Sequence, residues 1–247
     1  MKLSANIAKL QSHVDISKAL KNVGLSAAIP IKSSDDKEIV EDGELYFILI
    51  NRIQGNQIKA DDMYEGNLQT KSRFVGEIIG QLSLALKNVD AIVTDINIFE
   101  SVKNWVIPKM KEIMQLSDEF CNEYINTFSK LYDKLPKQII HRDPNPGNII
   151  IDNEKWGFID FELSERNIRI FDPCYAATGI LSESFLDDNK EKLTKWIYIY
   201  KNIMYGYDSV AKLSYEERKS IPYVVLSNQL IVVAWLSEQE KYKHIYE

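Results

Sequence analysis

The stretch "HRDPNPGNIIIDNEKWGFIDFE", which opens at His141, constrains the fold more than any other part of the chain. Pro144 and Pro146 fix their own φ angles and stiffen a polar turn. After it come two short apolar runs, "NIII" and "WGFID", separated by Asp152-Asn153-Glu154, a turn signal between strands. Together with the preceding "KQII", the segment reads as a strand, a rigid loop and a β-hairpin. Its surroundings are helical, so the class is α+β.

The flanking helices follow from apolar spacing. Ile7, Leu10, Val14, Leu20 and Val23 predict an amphipathic helix that Gly24 stops. "TKSRFVGEIIGQLSLALKNV", "IFESVKNWVIPKMKEIM" and "DEFCNEYINTFSKLYDKL" are the next three, the last with Phe120, Tyr124, Phe128, Leu131 and Leu135 on one stripe. Two more run from about Leu193 to Tyr207 and from Ile221 to Gln239. Between the first and second helices, "AAIPIKSS" and "ELYFILINRI" read as two strands joined by the polar "DDKEIVEDG". Strand character ends at Gln54-Gly55-Asn56, which places a boundary between residues 1–53 and 54–247.

A chain of 247 residues with 45% hydrophobic content buries a full core. Its net charge of −6 is not the basic footprint of a nucleic-acid binder. Two distant cysteines and three scattered histidines give neither a disulfide framework nor a zinc site, which fits a cytoplasmic protein. The N-terminus lacks the apolar core of a signal peptide. Ser227, Asn228 and Gln229 interrupt the most apolar late stretch, so no membrane partner is expected.

Phosphoryl transfer requires a carboxylate to orient and deprotonate a hydroxyl, and oxygen ligands to hold magnesium against phosphates. Asp143 stands in the proline-stiffened turn, Asn148 begins the strand after it, and Asp160 ends the return strand of the hairpin. That register lets the Asp160 carboxylate face the Asn148 amide beside one candidate base.

"HRDPNPGN", then "GFIDFE", then "FDPCYAA", with "LYFILINRIQG" upstream, resembles the aminoglycoside phosphotransferase and choline kinase family, the small-molecule branch of the protein-kinase-like fold. The resemblance spans most of the chain. It implies a reduced N-lobe of one helix and two strands over residues 1–53, a hinge, and a mainly helical C-lobe carrying the hairpin as a catalytic island. By the same resemblance Asp143 is the catalytic base, Asn148 and Asp160 hold magnesium, His141 packs under the loop and Asp172 braces it. The Asn51, Arg52 and Ile53 backbone would meet the adenine of ATP or the guanine of GTP, and Glu162 is a further candidate for metal or substrate.

Arg142 departs from the family's small-molecule branch, which usually has glycine there, and matches protein kinases. However, Asp160 is followed by Phe161-Glu162 rather than Phe-Gly, no Ala-Pro-Glu occurs, and Phe171 comes too soon after Asp160 for an activation loop. The expected acceptor is therefore a hydroxyl of a small molecule, aminoglycoside-like, homoserine-like or choline-like. The acidic residues Glu162, Glu165, Asp187, Asp188 and Glu191 would favour a cationic one.

The resemblance also places a Gly-rich phosphate loop and an ATP-binding lysine ahead of the first helix, and neither is legible there. The first helix offers no glutamate to pair with such a lysine. A second function class follows: a truncated or degenerate kinase-like protein that binds a ligand or partner without turnover. A shortened N-lobe would also leave one edge of "LYFILI" unpaired, with Tyr46, Ile48 and Ile50 open to a second copy of the chain, or the whole of residues 1–53 mobile.

Overall fold

Residues 2–4 form a strand that the sequence reading did not contain, and it settles how the first lobe closes. The computed structural model describes residues 1–153, 155–184 and 189–239, with only the backbone of Glu183 and Ser184; Asp187, Asp188 and His244 lie outside the described residues. Strand β1 (Lys2–Ser4) leads into helix α1 (Ile7–Asn22), whose first turn is capped by Asn6 Oδ1 accepting from Lys9 N at 3.3 Å. Gly24, at φ +85°, turns the chain out of the helix, a conformation that costs glycine nothing.

The expected "AAIPI" strand divides in two. β2 (Ser26–Ala27) joins the second lobe, while β3 (Pro30–Ile31) stays in the first, with β4 (Val40–Asp42) and β5 (Leu45–Ile50) completing that lobe. The "DDKEIVEDG" segment, read as a turn throughout, thus contributes a strand of its own.

β5 is paired on both sides. β1 runs antiparallel to it with Leu3 opposite Phe47, while β4 and β3 share its other edge. The expectation of an unpaired edge, with its consequence of pairing to a second copy, is overturned: the backbone groups of "LYFILI" are satisfied from within residues 1–53. The ground for reading a missing strand beside β5 goes with it. Leu10 and Val14 of α1 pack with Ile48 of β5 in a small core separate from the main one.

The chain then passes through Asn51–Gly55 into β6 (Asn56–Gln57), which pairs with β9 (Ile149–Asp152); β9 forms the expected hairpin with β10 (Lys155–Phe158), and β2 adds to β10 in parallel. Two glycines permit this crossing. At Gly55, φ +123°, a Cβ would lie 2.4 Å from Ile151 O, and at Gly157 one would lie 2.5 Å from Ser26 O.

Helix α2 (Leu68–Leu86) begins at an Asn67 cap and is followed by β7 (Thr94–Asp95). A continuous helical segment comes next: α3 (Ile98–Ser101), a π-helical stretch at Val102–Val106, and α4 (Ile107–Met114), with Pro108 in the first turn of α4. α5 (Asp118–Tyr132) buries Tyr124, Phe128 and Tyr132; Phe120, expected on that stripe, is 40% exposed. β8 (Lys137–Ile140) pairs with β11 (Glu165–Ile168), whose other edge takes β7.

After β11 come α6 (Phe171–Ser184), α7 (Lys190–Val210) and α8 (Tyr215–Ser237). α2 and α7 touch backbone to backbone: a Cβ at Gly76 would sit 2.0 Å from Ile203 O, and one at Gly206 would sit 2.1 Å from Arg73 O. By length and composition alone α8 would suffice to cross a membrane. It packs against α5 and α6 instead, with Ser227 Oγ 2.6 Å from the Tyr124 hydroxyl and buried Glu217 bound to Arg169 at 2.7 Å. The architecture is the protein-kinase-like one, with a reduced first lobe and a mainly helical second.

Candidate active site

The loop between β8 and β9 is braced from beneath. Asp172, in the first turn of α6, accepts His141 N at 2.9 Å and Arg142 N at 3.0 Å. Burial pushes its carboxyl up to about 7, against the opposing pull of those two N–H groups and of Arg142. His141 is fully buried and its Nε2 lies 2.9 Å from Ile159 O, with the ring 4.6 Å from that of Phe161. Burial lowers its pKa, so it stays a neutral packing group that donates through Nε2 and accepts Asp143 N through Nδ1.

Arg142 adopts φ +76°, a left-handed backbone that is costly for a residue with a side chain. The two bonds to Asp172 hold it there, and its guanidinium lies over the Phe171 ring at 4.4 Å and 3.2 Å from Glu165. Asn145 Nδ2 donates to Asp143 Oδ1 at 2.8 Å, and Asn148 Nδ2 donates to Asp143 Oδ2 at 3.0 Å. Asn145 also accepts from Asn148 N at 3.1 Å, closing the tight turn Pro146–Asn148. Asn145 went unread in the sequence, although an asparagine between two prolines is a turn signal in its own right.

Asn148 O accepts from Ile159 N at 3.1 Å, which continues the β9–β10 ladder and sets Asp160 just beyond it. Asp160 is also left-handed, φ +69°. Lys2 Nζ donates to Asp160 Oδ1 at 2.5 Å and to Glu162 Oε1 at 2.9 Å. Burial works against the Asp160 charge, but the Lys2 hydrogen bond and charge outweigh it and hold the carboxyl below its ordinary range. A lysine therefore does stand at the site. The sequence reading missed it because "KLS" is too short to show strand periodicity.

The first helix places His13 against the turn that follows Asp160. Its Nδ1 accepts Phe161 N at 3.1 Å, and burial, reinforced by Lys2 and opposed by Asp160, lowers its pKa to about 4.

A cleft of about 470 Å³ gathers Lys2, Ile50, Asn51, Arg52, Ile150 and Asp160, with Ile53 beside them. Asn51 anchors its wall: its N–H donates to Ile29 O at 3.0 Å and its Oδ1 accepts Ile29 N at 2.6 Å. The Asn51 N–H is thus engaged within the protein. Three of the acidic residues expected to attract a cation are already paired, Glu162 with Lys2, Glu165 with Arg142 and Glu191 with Lys195.

Among the described residues no three His, Cys, Asp or Glu side chains stand together as a metal cage. An ionised Asp160 and the Asn148 amide suit magnesium nonetheless, because that ion takes few protein oxygens and fills its shell with water and phosphate.

A two-lobed fold with a braced Asp143 loop and an Asp160-tipped hairpin defines a kinase-like protein. Residues 6–194 match the phosphotransferase enzyme family, APH, and the chain belongs to it. No curated protein matches the sequence. Among solved structures, the chain is similar to the amicoumacin kinase hAmiN in complex with AMP-PNP, Ca2+ and Ami, at 14% identity over 99% of this chain and 78% of that one, TM-score 0.73. It is similar also to a microcompartment-associated aminopropanol kinase (12%, 98% and 78%, TM-score 0.69) and to aminoglycoside 2'-phosphotransferase-IIIa in its GDP complex (14%, 96% and 79%, TM-score 0.63). At these identities the likeness is one of fold.

Proposed function

We propose that the protein is a small-molecule kinase that moves the γ-phosphoryl group of magnesium-bound ATP or GTP to a hydroxyl acceptor. The observation that supports this reading is a doubly anchored Asp143 carboxylate tied through Asn148 to the strand end next to Asp160, which with Lys2, Asn51 and Arg52 lines one cleft. Asp143 takes the proton of the acceptor hydroxyl as its oxygen bonds to the γ-phosphorus. The bond from that phosphorus to the β–γ bridging oxygen breaks, and the nucleoside diphosphate leaves with the electron pair.

Asn145 and Asn148 hold the Asp143 oxygens in place, so the base does not have to be ordered at the moment of reaction. Lys2 is set to turn from Asp160 toward the phosphates, and Arg52 and Ile53 offer backbone to the base. Asp160 and Asn148 would hold magnesium, which supplies charge neutralisation of the phosphate oxygens. The family membership supports the class of reaction. The named kinases, of amicoumacin, aminopropanol and an aminoglycoside, support a small acceptor here.

The test is acceptor-dependent release of nucleoside diphosphate over a panel of neutral, cationic and anionic alcohols, with ATP and GTP in turn. Acceptor-dependent release that Asp143→Asn removes is the expected result. Failure of every alcohol with both nucleotides, in protein shown to bind magnesium-nucleotide, would favour the non-catalytic class.

A further inference from the structure

Asp160 holds an unfavourable backbone, with φ +69° and ψ +63°, in the left-handed region that costs a residue with a side chain. The peptide on each side of it is pinned. Ahead of it, Ile159 N donates to Asn148 O at 3.1 Å, and behind it Phe161 N donates to His13 Nδ1 at 3.1 Å. The first bond extends the β9–β10 ladder. The second comes from α1, in the first lobe. Relaxing out of the left-handed region would re-aim the Cα–Cβ bond of Asp160, so the bond that pins the following peptide also aims the carboxylate.

The Phe161 side chain adds to this hold. It is 1% exposed, and its ring centroid lies 6.0 Å from that of His13 and 4.6 Å from that of His141. His141 in turn accepts Asp143 N at 3.3 Å through Nδ1. Two imidazoles, one from each lobe, thus contact one phenyl ring, and each accepts a backbone N–H, one at Asp143 itself and one next to Asp160.

Packing alone does not account for a histidine at position 13. The residue is fully buried on the face of α1 that also carries Leu10, Val14 and Leu20. With Nδ1 accepting, the neutral ring carries its proton on Nε2, and that N–H has no partner among the described residues. A buried donor left unpaired is destabilising, and leucine would fill similar space without one. What the imidazole supplies and leucine cannot is the Nδ1 lone pair.

We infer that His13 is a positioning residue: by fixing the peptide after Asp160, its Nδ1 sets the carboxylate for magnesium, so the seating of α1 in the first lobe governs how well the metal is held. That magnesium is the ligand rests on the phosphotransfer reading; the latch between His13 and the Asp160 backbone does not. Lys2 reaches the same carboxylate from β1, so the first lobe acts on Asp160 by two routes, through its charge and through its backbone.

The experiment compares His13→Asn, His13→Leu and His13→Gln in the full chain. Asparagine Oδ1 and leucine Cδ1 stand as many bonds from Cβ as Nδ1 does, whereas the glutamine oxygen stands one bond further out, as Nε2 does. Only His13→Asn therefore keeps an acceptor in place. Amide hydrogen exchange at Phe161, followed by NMR and referred to the amides of α2 as reporters of global stability, should be about tenfold faster or more in His13→Leu and His13→Gln than in wild type and His13→Asn. AMP-PNP affinity, measured by calorimetry with and without magnesium, gives a second readout. The gain in affinity on adding magnesium should fall about tenfold in His13→Leu and be largely kept in His13→Asn, with magnesium-free affinity alike in all.

A merely structural role predicts the reverse order, because leucine packs better than asparagine at a buried apolar position. Equal Phe161 exchange in His13→Asn and His13→Leu, a magnesium gain that follows melting temperature, or a magnesium gain unchanged in His13→Leu would each overturn the assignment. If wild type shows no magnesium-dependent nucleotide binding, the phosphotransfer reading fails and the latch is decided by exchange alone: faster exchange in His13→Leu than in His13→Asn upholds it, and equal rates end it.

Discussion

Lys2 Nζ, on β1, stands 2.5 Å from Asp160 Oδ1, just beyond β10, so an ion pair joins the two lobes in the wall of the cleft that also gathers Asn51 and Arg52. The same ammonium reaches Glu162. A cation held between these two carboxylates is placed to turn toward phosphates. Lys2→Met should therefore weaken magnesium-nucleotide binding by about 10- to 100-fold, the worth of a charge-assisted hydrogen bond lost. Calorimetric titration of both proteins with the nucleotide checks it, and unchanged affinity would remove Lys2 from the site.

Asp143 and Asp160 should separate kinetically. Asp143→Asn keeps the shape of the loop but cannot take a proton, so kcat should fall by about 10²- to 10⁴-fold with nucleotide affinity retained. Asp160→Asn should instead weaken binding itself, and only when magnesium is present. Equal single-turnover rates for Asp143→Asn and wild type would exclude Asp143 as the base.

His13 gives the fold a pH dependence. Its pKa is lowered to about 4 in the folded chain, against about 6.5 unfolded, so between those values the unfolded chain binds more protons. Stability from this group is complete above the unfolded value and is lost as pH falls toward the folded one, by about 3 kcal/mol in all. Asp172, raised to about 7, acts in the opposite sense over much of that range. The comparison is therefore a difference: wild type should lose more stability from pH 7 to pH 4.5 than His13→Asn, whose amide oxygen can still accept Phe161 N. Parallel denaturant-melt curves for the two proteins would contradict this.

Two glycine substitutions should differ in cost for different reasons. Gly24→Ala meets no atom within 4 Å but must keep φ +85°, costing about 1 kcal/mol. Gly206→Ala gains about 1 kcal/mol of helix propensity, yet its Cβ would lie 2.1 Å from Arg73 O, and overpacking of that severity outweighs the gain by about 3 kcal/mol or more. Thermal melts should show a drop of a few degrees for the first and roughly 6–12 °C for the second.

The hairpin site was readable because its geometry is local. Prolines fix the loop that carries Asp143, the turn at Asp152-Asn153 fixes the hairpin, and the ladder returns Ile159, the neighbour of Asp160, to Asn148 O. Lys2 and His13 were not readable as site residues. They reach Asp160 and Phe161 through lobe packing, and neither a three-residue strand nor one histidine on an amphipathic helix signals that in sequence. The division of "AAIPI" between two sheets was hidden for the same reason: the apolar run is continuous, and only the backbone crossing at Gly157 decides where each half pairs.

The contact of α2 with α7 at Gly76 and Gly206 has a mechanical consequence. Sliding of one packed helix along another needs side chains that can change rotamer as the surfaces shift, and at Gly76 and Gly206 backbone lies against backbone instead. Shear at these two points meets backbone rather than adaptable side chains, which stiffens the packing of α2 on α7.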